Sequence, residues 1–408
     1  MSGKRIFLTS LLLIILVGLR IIGLNSGNKI EKEVISGVII KEPTTQGSSQ
    51  KFQLNGISVT TKRYPEYHYG DQIEIKRLKT GNKSSNSNII YYPKIYLIDR
   101  NKGNILLSWI YKLRQRVEEI YQNFLPGREA GLLAGIVLGV KSDLTSEFYN
   151  DLKNTGTMHV VVASGMNITY IAGFLILLFS RLFNRRIAIS LSFMGILFYM
   201  ALAGFEAPIV RAGIMGMISF TGQILGKQRW GLLSLGVTAI AMLFVNPWYV
   251  SDVGFQLSVA ATAGLLLIQP VLIRIKIINK IIKFPVIGDS LATSISAQLA
   301  VLPILLTSFG SVSILSPFIN SLILWVVPWV MILGAGIALL GFFVMPLAHL
   351  VSYLCYGFLF YFCEIVSFFG KGNRGIVKID NLSVFFGIGY YLILLSIILG
   401  IGLRRRKK

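Results

Sequence analysis

The chain has 408 residues and a mass of 45.2 kDa, and its 40 Lys and Arg residues against 18 Asp and Glu residues give a formal charge of +22. Apolar residues make up 53%, charged residues only 14%, and the mean hydropathy is +0.66. Soluble domains carry about 25% charged residues, so these values exclude one large soluble domain, and the apolar content excludes a disordered basic tail. They favour a polytopic α-helical membrane protein with basic ends and loops.

Residues 1–27 predict an N-terminal membrane anchor. An apolar run over residues 6–24 follows Lys4 and Arg5. The run is long for the apolar part of a signal peptide, and no Ala-x-Ala cleavage pattern follows it. We therefore expect a retained transmembrane anchor.

Residues 28–104 predict a small β domain. Five short runs alternate apolar and polar residues, and clusters of Gly, Pro, Ser and Asn separate them. Such alternation predicts about five strands, which is the size and strand count of a small OB-like barrel. The region has 13 basic and 7 acidic residues, a net charge of +6.

Residues 105–126 predict an amphipathic helix. Ile105, Trp109, Leu113 and Val117 recur at helical spacing, with charged residues at other positions. Two placements fit equally well: the helix lies on the membrane surface, or it packs on the preceding domain.

Residues 127–403 predict a multi-helix membrane domain. Its first segment, 127–139, has 13 residues and cannot cross about 30 Å of hydrocarbon at 1.5 Å per residue. We expect a re-entrant, half-membrane element there. Nine longer apolar runs follow between residues 158 and 403, which with the anchor makes about ten transmembrane helices.

The positive-inside rule supports this count. Basic residues cluster in alternate loops and in a C-terminal tail: residues 181–186, 227–229, 274–283 and 404–408. Ten spans place these clusters and both termini in the cytoplasm and residues 28–126 outside it. The string KGNRGIVK at 371–378 is the exception, because it falls on the outer side. The cytoplasmic set accounts for +15 of the +22, so most of the excess charge indicates orientation.

Strongly polar residues inside apolar spans are costly and indicate functional sites. The densest cluster contains His159, Ser164 and Asn167, with Gly165 among them. Ser164 and Asn167 share a helical face, and Gly165 favours a helix break, which a membrane tolerates only against protein or water. Close helix packing explains the glycine equally well, whereas a pathway or gate better explains His159 and Asn167 together.

Arg211 is an arginine well inside the apolar region, and Glu206 is its candidate partner. Two roles fit this residue. Its side chain extends to the outer interface, or its guanidinium contacts a phosphate.

Two more polar sets lie at the starts of spans or within them. Asp252 and Gln256 are one turn apart at the start of a span, where Asp252 could equally serve as a simple N-cap. Gln298 and Pro303 share a later span, and Asn320 opens the next one. Proline inside a span favours kinks or breaks, and converging broken helices would line a hydrophilic passage.

Four strings in this order resemble the ComEC family of competence proteins: GTMHVVVASGMNI, APIVRAGIM, NPWYVSDVGFQLSVAATAG and QLAVLPILLTSFGSVSILSPFIN. Each is weak alone, but the order and spacing over about residues 110–340 are specific, and residues 128–156 and the OB-like region also resemble the family. The resemblance implies an inner-membrane channel that carries one DNA strand into the cytoplasm during natural transformation.

The resemblance also implies which residues line the channel. Nine positions match the recurring motifs of the family: His159, Ser164, Gly165, Asn167, Arg211, Asp252, Gln256, Gln298 and Asn320. Many members have a second histidine where this chain has Asn167, so a role that needs imidazole at that position is not expected. Many also carry a C-terminal metallo-β-lactamase-like domain. This chain ends just after its last span and has no His-x-His-x-Asp-His string, so we expect no metal, cofactor or nuclease activity in it.

Single-stranded DNA is the expected partner, together with membrane lipid. OB surfaces bind single strands through basic grooves and stacked aromatic side chains. The candidate DNA-binding residues are Lys62, Arg63, Tyr64, Lys76, Arg77 and Lys79. A solvated basic face with tyrosines at the bilayer surface is an equal alternative. No Gly-x-x-x-x-Gly-Lys-Ser/Thr loop occurs, so we expect the ATP-driven motor, the DNA receptor and the nuclease to be separate proteins.

Three other functions fit parts of the pattern. Broken helices also suit a small-solute transporter or channel. An intramembrane enzyme could use Ser164 with His159 as base, but residues five apart on one helix point about 140° apart. The OB-like domain could also make the chain a membrane-anchored binding protein.

Overall fold

The computed structural model describes residues 34–46, 49–55, 57–76, 89–140, 144–161, 164–224, 231–273, 287–372, 375–379 and 384–403. The predicted anchor at 1–27 and the basic tail at 404–408 lie outside the described residues. Arg77 and Lys79 also lie outside them.

Seven short strands among the described residues form the N-terminal β domain, and they belong to two sheets. Strands β1 (Val34–Val38), β5 (Gln72–Lys76) and β7 (Lys94–Asp99) form an antiparallel sheet. The second sheet contains β2 (Thr44–Gln46), β3 (Ser49–Leu54), β4 (Ile57–Lys62) and β6 (Ile89–Tyr91), with β4 and β6 parallel. Each of the five predicted runs overlaps one strand, and β2 and β6 are additional.

One apolar core holds the two sheets together. Phe52 and Leu54 of β3 and Ile73 and Ile75 of β5 alternate with more exposed residues and share this core with Val59. Strand alternation places these side chains on one face, so the hydrophobic effect drives the packing. Both sheets contribute to the core, while the OB-like barrel itself stays a prediction.

Helix α1 (Ile105–Phe124) connects the β domain to the helical region. The Tyr111 ring lies 5.1 Å from the Tyr69 ring of the β domain. Nearer its end, the helix buries Tyr121, whose hydroxyl donates to the carbonyl of Gly334 at 2.9 Å. Ile105 is 88% exposed. The helix therefore packs on both regions and leaves apolar side chains of its first turn uncovered, as an interfacial position would require.

Helix α2 (Gly127–Leu138) is short and buried within the protein. Leu132, Leu133 and Ile136 have no exposed surface, and the helix ends at Gly139, whose φ of 73° gives a left-handed cap. Twelve residues span about 18 Å. This length suits the predicted half-membrane element, and burial in protein is the condition for one.

The remaining described residues are mostly helical. The helices are α3 (Ser146–Thr155), α4 (Met158–Val161), α5 (Gly165–Leu182), α6 (Arg185–Leu202), α7 (Ala207–Ile224), α8 (Gly231–Val245), α9 (Val253–Leu267), α10 (Gln269–Leu272), α11 (Ile287–Phe309), α12 (Ser316–Ile323), α13 (Val327–Phe343), α14 (Met345–Gly370) and α15 (Val384–Leu403). A short 3₁₀ turn, Pro247–Ser251, precedes α9, and strands β8 (Ser311–Ser313) and β9 (Ile376–Lys378) form an antiparallel pair.

Several helices are long and apolar enough to cross a membrane. These are Arg185–Leu202, Val253–Leu272, Asp289–Phe309 and Met345–Gly370, together with the stretch Met158–Leu182, which contains α4, α5 and residues 162–163 outside the described ranges. Helices α12 and α13, bent by 48°, would make a sixth if they form one broken span. A mostly helical membrane protein is therefore consistent with the structure, and the total of about ten spans stays a prediction.

Candidate functional site

The segment from Gly156 to Asn167 interrupts the helices where the predicted polar cluster lies. Helix α3 ends at Gly156, whose φ of 72° gives a left-handed cap. The four-residue helix α4 follows, and α5 begins at Gly165 with Ser164 in extended conformation before it. Non-helical backbone inside an apolar domain is tolerated only against protein or water, so a helix start at this place can organise a polar site.

Asn167 ties the start of α5 to the buried helix α2. The Asn167 side chain has no exposed surface, and its Nδ2 donates to the carbonyl of Ile136 at 2.8 Å. The Ser164 hydroxyl donates to Asn167 Oδ1 at 3.1 Å. A buried amide that satisfies both its donor and its acceptor fixes the break in one geometry.

Arg211 lies against the same break from helix α7. Its Nε donates to the Ser258 hydroxyl at 2.7 Å, and Nη1 lies 3.1 Å from the sulfur of Met215. A Cβ added to Gly165 would be 2.9 Å from Arg211 Nη2, so the absence of a side chain at Gly165 makes room for the guanidinium. Arg211 is only 7% exposed, which argues against a side chain that extends to the outer interface.

Asp252 and Gln256 both act locally at the start of α9. The Asp252 carboxylate accepts from the backbone N–H of Phe255 at 2.6 Å, as a helix N-cap does. Gln256 Nε2 donates to the carbonyl of Val250 at 2.7 Å. Helix α9 still contributes to the site, because its Ser258 accepts the hydrogen bond from Arg211.

Gln298 reaches the β8–β9 pair. Its Nε2 donates to the carbonyl of Ser313 at 2.8 Å. Gln298 lies about three turns before the end of α11, and the chain reverses at Gly310, whose φ is 63°. Strand β8 therefore runs back beside α11, which brings non-helical backbone next to the helices.

His159 directly, and Asn320 through Ser316, are linked to the carbonyl of Gly156. Asn320 is 5% exposed, and its Nδ2 lies 3.2 Å from the Ser316 hydroxyl oxygen. The Ser316 hydroxyl in turn lies 3.5 Å from the carbonyl of Gly156, and the same carbonyl is 3.0 Å from His159 Nδ1. Gly156 thus joins helix α12 to the broken segment.

Seven of the nine predicted positions belong to chains of hydrogen bonds or close contacts that reach residues 156–167, whereas Asp252 and Gln256 bond locally at the start of α9. We call the whole arrangement the polar seam: Gly156, His159, Ser164, Gly165, Asn167, Arg211, Asp252, Gln256, Ser258, Gln298, Ser313, Ser316 and Asn320. Ser164 and His159 bond to Asn167 and Gly156 rather than to each other, so the geometry is not that of a Ser–His dyad.

Apart from the Asp252 carboxylate, which caps α9, the seam combines one buried cation with hydrogen-bonding side chains that carry no negative charge. Within the described ranges, no carboxylate forms an ion pair with Arg211, and two buried oxygens, Ser313 Oγ and Asn320 Oδ1, have no hydrogen-bond partner. A buried charge without a counter-ion is costly. The arrangement therefore suits an anionic group bound beside neutral amides and hydroxyls.

Ser313 and Ser316 were not among the predicted site residues. Both follow a glycine turn in the string GSVSILS, where serines alternate before the next helix. Alternating serines at the end of an apolar span could have indicated a polar strand, but only the fold shows that this strand returns to Gln298 and Gly156.

The predicted DNA-binding residues of the β domain lie on both sheets. Lys62 ends β4, and Arg63 pairs with Glu66 at 3.3 Å with its guanidinium 5.8 Å from the centre of the Tyr64 ring. Tyr64 is 72% exposed. Lys76 ends β5 in the other sheet and lies over the Tyr96 ring at 5.2 Å. Strand pairing does not join the two sets.

Comparison with known proteins gives matches over the helical region. The model of a family described as competence protein matches residues 136–404. ComE operon protein 3 of Bacillus subtilis (strain 168) is 25% identical over 214 residues, 52% of this chain and 26% of that protein. An uncharacterized protein of Aquifex aeolicus (strain VF5) is 31% identical over 129 residues, 31% of this chain and 30% of that protein. The chain thus covers less than a third of either relative, and no solved structure gives a significant match.

Proposed function

The chain belongs to the ComEC family of competence proteins, and on that premise we propose that it forms an inner-membrane channel for the uptake of single-stranded DNA during natural transformation. In this proposal about ten helices span the membrane and both termini lie in the cytoplasm. Residues 28–126 lie outside, with the OB-like domain at the mouth of the channel. The chain supplies a passage and no enzymatic step.

Arg211 is the observation that carries this proposal. Its guanidinium is buried, bonds to a neutral serine and has no carboxylate counter-ion among the described residues. Phosphate groups pair well with guanidinium donors, and a DNA strand would bring a phosphate as the missing counter-ion.

The rest of the polar seam supports a pathway for a hydrated backbone. Ser164 bonds to Asn167 at the start of α5, Asn167 connects α5 to α2, and Gln298 connects α11 to β8. Each of these side chains offers neutral donors or acceptors. Neutral groups can replace water around a moving phosphate without holding it at one place. A channel must bind each phosphate of the strand weakly enough to release it to the next position.

The β domain would collect the strand before it reaches the seam. The exposed Tyr64 ring beside Arg63, and the Lys76 ammonium over Tyr96, combine the cationic and aromatic groups that bind single strands. Lys62 lies next to the first pair. A receptor, a nuclease and an ATP-driven motor would be separate proteins.

Uptake of labelled DNA by the source cells tests the channel. Cells with the wild-type chain should protect an internalised labelled strand from added nuclease, whereas cells with a deletion or with Arg211→Met should lose at least 90% of that signal, on the order of a 1.4 kcal/mol change. Arg116→Met on the exposed surface of α1 is the matched control. Normal uptake in the deletion strain would refute the proposal. Transport of a small solute by the wild-type strain but not by the deletion strain would favour the transporter alternative.

A further inference from the structure

A polar cavity of about 190 Å³ lies where the end of α3 meets strands β8 and β9. Its polar lining comprises Asn150, Lys153, Asn154, Ser311, Ser313 and Lys378. The volume equals that of about six water molecules. It can hold a phosphate-sized anion with a few waters.

The charges around the cavity favour an anion. Lys153 and Lys378 form no ion pair among the described residues. The nearby Glu147 lies 3.9 Å from the ammonium of Lys371. Asp151 is buried against Gly370, where a Cβ on the glycine would be 2.8 Å from its Oδ1. Two lysines therefore remain without a neutralising acid in the described part of the chain.

Ser313 gives an independent indication of a ligand. Ser313 is one of the residues that line the cavity, is 6% exposed, and has a buried hydroxyl without a hydrogen-bond partner in the described ranges. Nearly all buried polar groups in proteins have a partner. A bound oxyanion would accept a hydrogen bond from this hydroxyl.

The end of α3 does not present bare carbonyls to the cavity. The backbone N–H of Gly156 bonds to the carbonyls of Leu152 and Lys153, and the Thr157 N–H bonds to Leu152 at 3.0 Å. The left-handed cap thus satisfies the negative end of the helix. Asn154 Nδ2 and the Ser311 hydroxyl already donate to the carbonyls of Gly370 and Phe309, at 3.1 and 3.4 Å, so the ammonium groups of Lys153 and Lys378 are the main donors of the lining.

The cavity adjoins the polar seam. Ser313 accepts the hydrogen bond of Gln298 through its carbonyl, and a Cβ on Gly156 would be 3.4 Å from Ser313 Cβ. Lys378 ends the basic string at 371–378 that departs from the positive-inside pattern. A binding role on the outer side gives that departure a physical reason.

We propose that this cavity binds a backbone phosphate of the DNA strand beside the seam, with Lys153 and Lys378 as its cations and Ser313 as a hydroxyl donor. The inference rests on the proposed function, because it names a step of the same passage. Lys153 and Lys378 are contributed by α3 and β9, so the site exists only when these elements pack together.

Binding of a fluorescent oligothymidylate to the full-length protein in phosphatidylcholine nanodiscs tests the site. Each lysine that contacts phosphate steepens the salt dependence of log K by about 0.7 for a single strand. The double variant K153Q/K378Q should bind at least tenfold more weakly at low salt, with a slope that is shallower by up to about 1.4. Ser313→Ala should also weaken binding. The control, Lys371→Gln, removes the same charge from a lysine outside the cavity and should retain wild-type affinity.

The outcomes separate this site from the channel itself. If the wild type binds the oligothymidylate and K153Q/K378Q and Lys371→Gln lose the same amount of affinity, the cavity site is overturned but the proposed channel is not. The cavity site would also be overturned if K153Q/K378Q bound DNA as the wild type does but lost affinity for added phosphatidylglycerol, because that result would indicate a site for a lipid headgroup. No DNA binding by the wild type, with normal uptake in the deletion strain, would refute the proposed function as well.

Discussion

Gly165 and Arg211 are matched in space: a Cβ on the glycine would lie 2.9 Å from the Nη2 of the arginine and 3.2 Å from the Cβ of Ala212. The missing side chain at the start of α5 therefore admits a guanidinium from α7. This contact connects the first and second strings of the family resemblance.

Gly165→Ala should destabilise the protein and reduce DNA uptake. Neither neighbour can move far, because Arg211 is held by Ser258 and Ala212 belongs to a helix. Overpacking of this kind costs about 1–3 kcal/mol, visible as a lower midpoint of thermal unfolding in detergent.

Gly173→Ala is the matched control for this substitution. Gly173 lies on the same helix, and no atom lies within 4 Å of the position that a Cβ would take there. Alanine favours a helix interior by up to about 1 kcal/mol over glycine, so stability should be unchanged or higher. Equal effects of the two substitutions would contradict the role of the Gly165–Arg211 contact.

Ser258→Ala should lower the free energy of unfolding, because it removes the hydroxyl that accepts a hydrogen bond from Arg211 Nε at 2.7 Å. A buried charged donor without its partner costs about 1–3 kcal/mol. Urea unfolding of the purified protein measures the loss. Thr262→Val one turn later is the control, because the Thr262 hydroxyl bonds only to the carbonyl of Ser258 in its own helix. A smaller effect for Ser258→Ala than for Thr262→Val would argue that Arg211 does not depend on this bond.

Asn167→Leu should cost about 1–3 kcal/mol and abolish uptake, because it leaves the buried carbonyl of Ile136 without its donor. Thr169→Val is a suitable comparison, since the exposed Thr169 hydroxyl bonds to the Gly165 carbonyl in its own helix. Uptake assays and thermal unfolding should agree. Normal stability with lost uptake would instead assign Asn167 to the pathway rather than to packing.

His68 should titrate above its usual range in the folded protein. The hydrogen bond to the Glu42 carboxylate at 3.2 Å raises the pKa of His68, and the negative charges of Glu42, Asp71 and Glu66 add to this effect against partial burial. Glu42→Gln should lower the pKa of His68. The chain has only three histidines, so ¹³C-labelled imidazole gives three NMR titration curves that can be assigned by substitution.

The sign of the stability effect follows from the raised pKa. Protonated His68 stabilises the folded protein fully at pH values below the pKa of the residue in the unfolded chain, about 6.5. This contribution is lost as the pH rises through the higher pKa of His68 in the folded protein. The pair also lies beside Gln115 of α1, whose Nε2 is 3.3 Å from Glu42 Oε1. The interpretation would be contradicted if the unfolding midpoint did not change with pH between these two pKa values and the NMR titration gave His68 an ordinary pKa.

Much of the local structure could be predicted because local patterns determine it. Alternating residues predicted the five main strands, and helical spacing predicted 105–126 where α1 spans Ile105–Phe124. Asp252 is the N-cap that a carboxylate before an apolar run predicts. The two extra strands β2 and β6 have only three residues each, too few for alternation to be detected.

The sequence by itself determined the membrane class, the family and the positions of the costly polar residues, because hydropathy, charge and ordered motifs are properties of the linear chain. Only the tertiary structure decided what those residues contact. It placed Arg211 over Gly165 and returned β8 to Gln298. It also brought Lys153 and Lys378, which are far apart in the chain, to the lining of one cavity. Such pairings depend on how helices pack and where the backbone reverses, and no local pattern encodes the distance between residues so far apart in the chain.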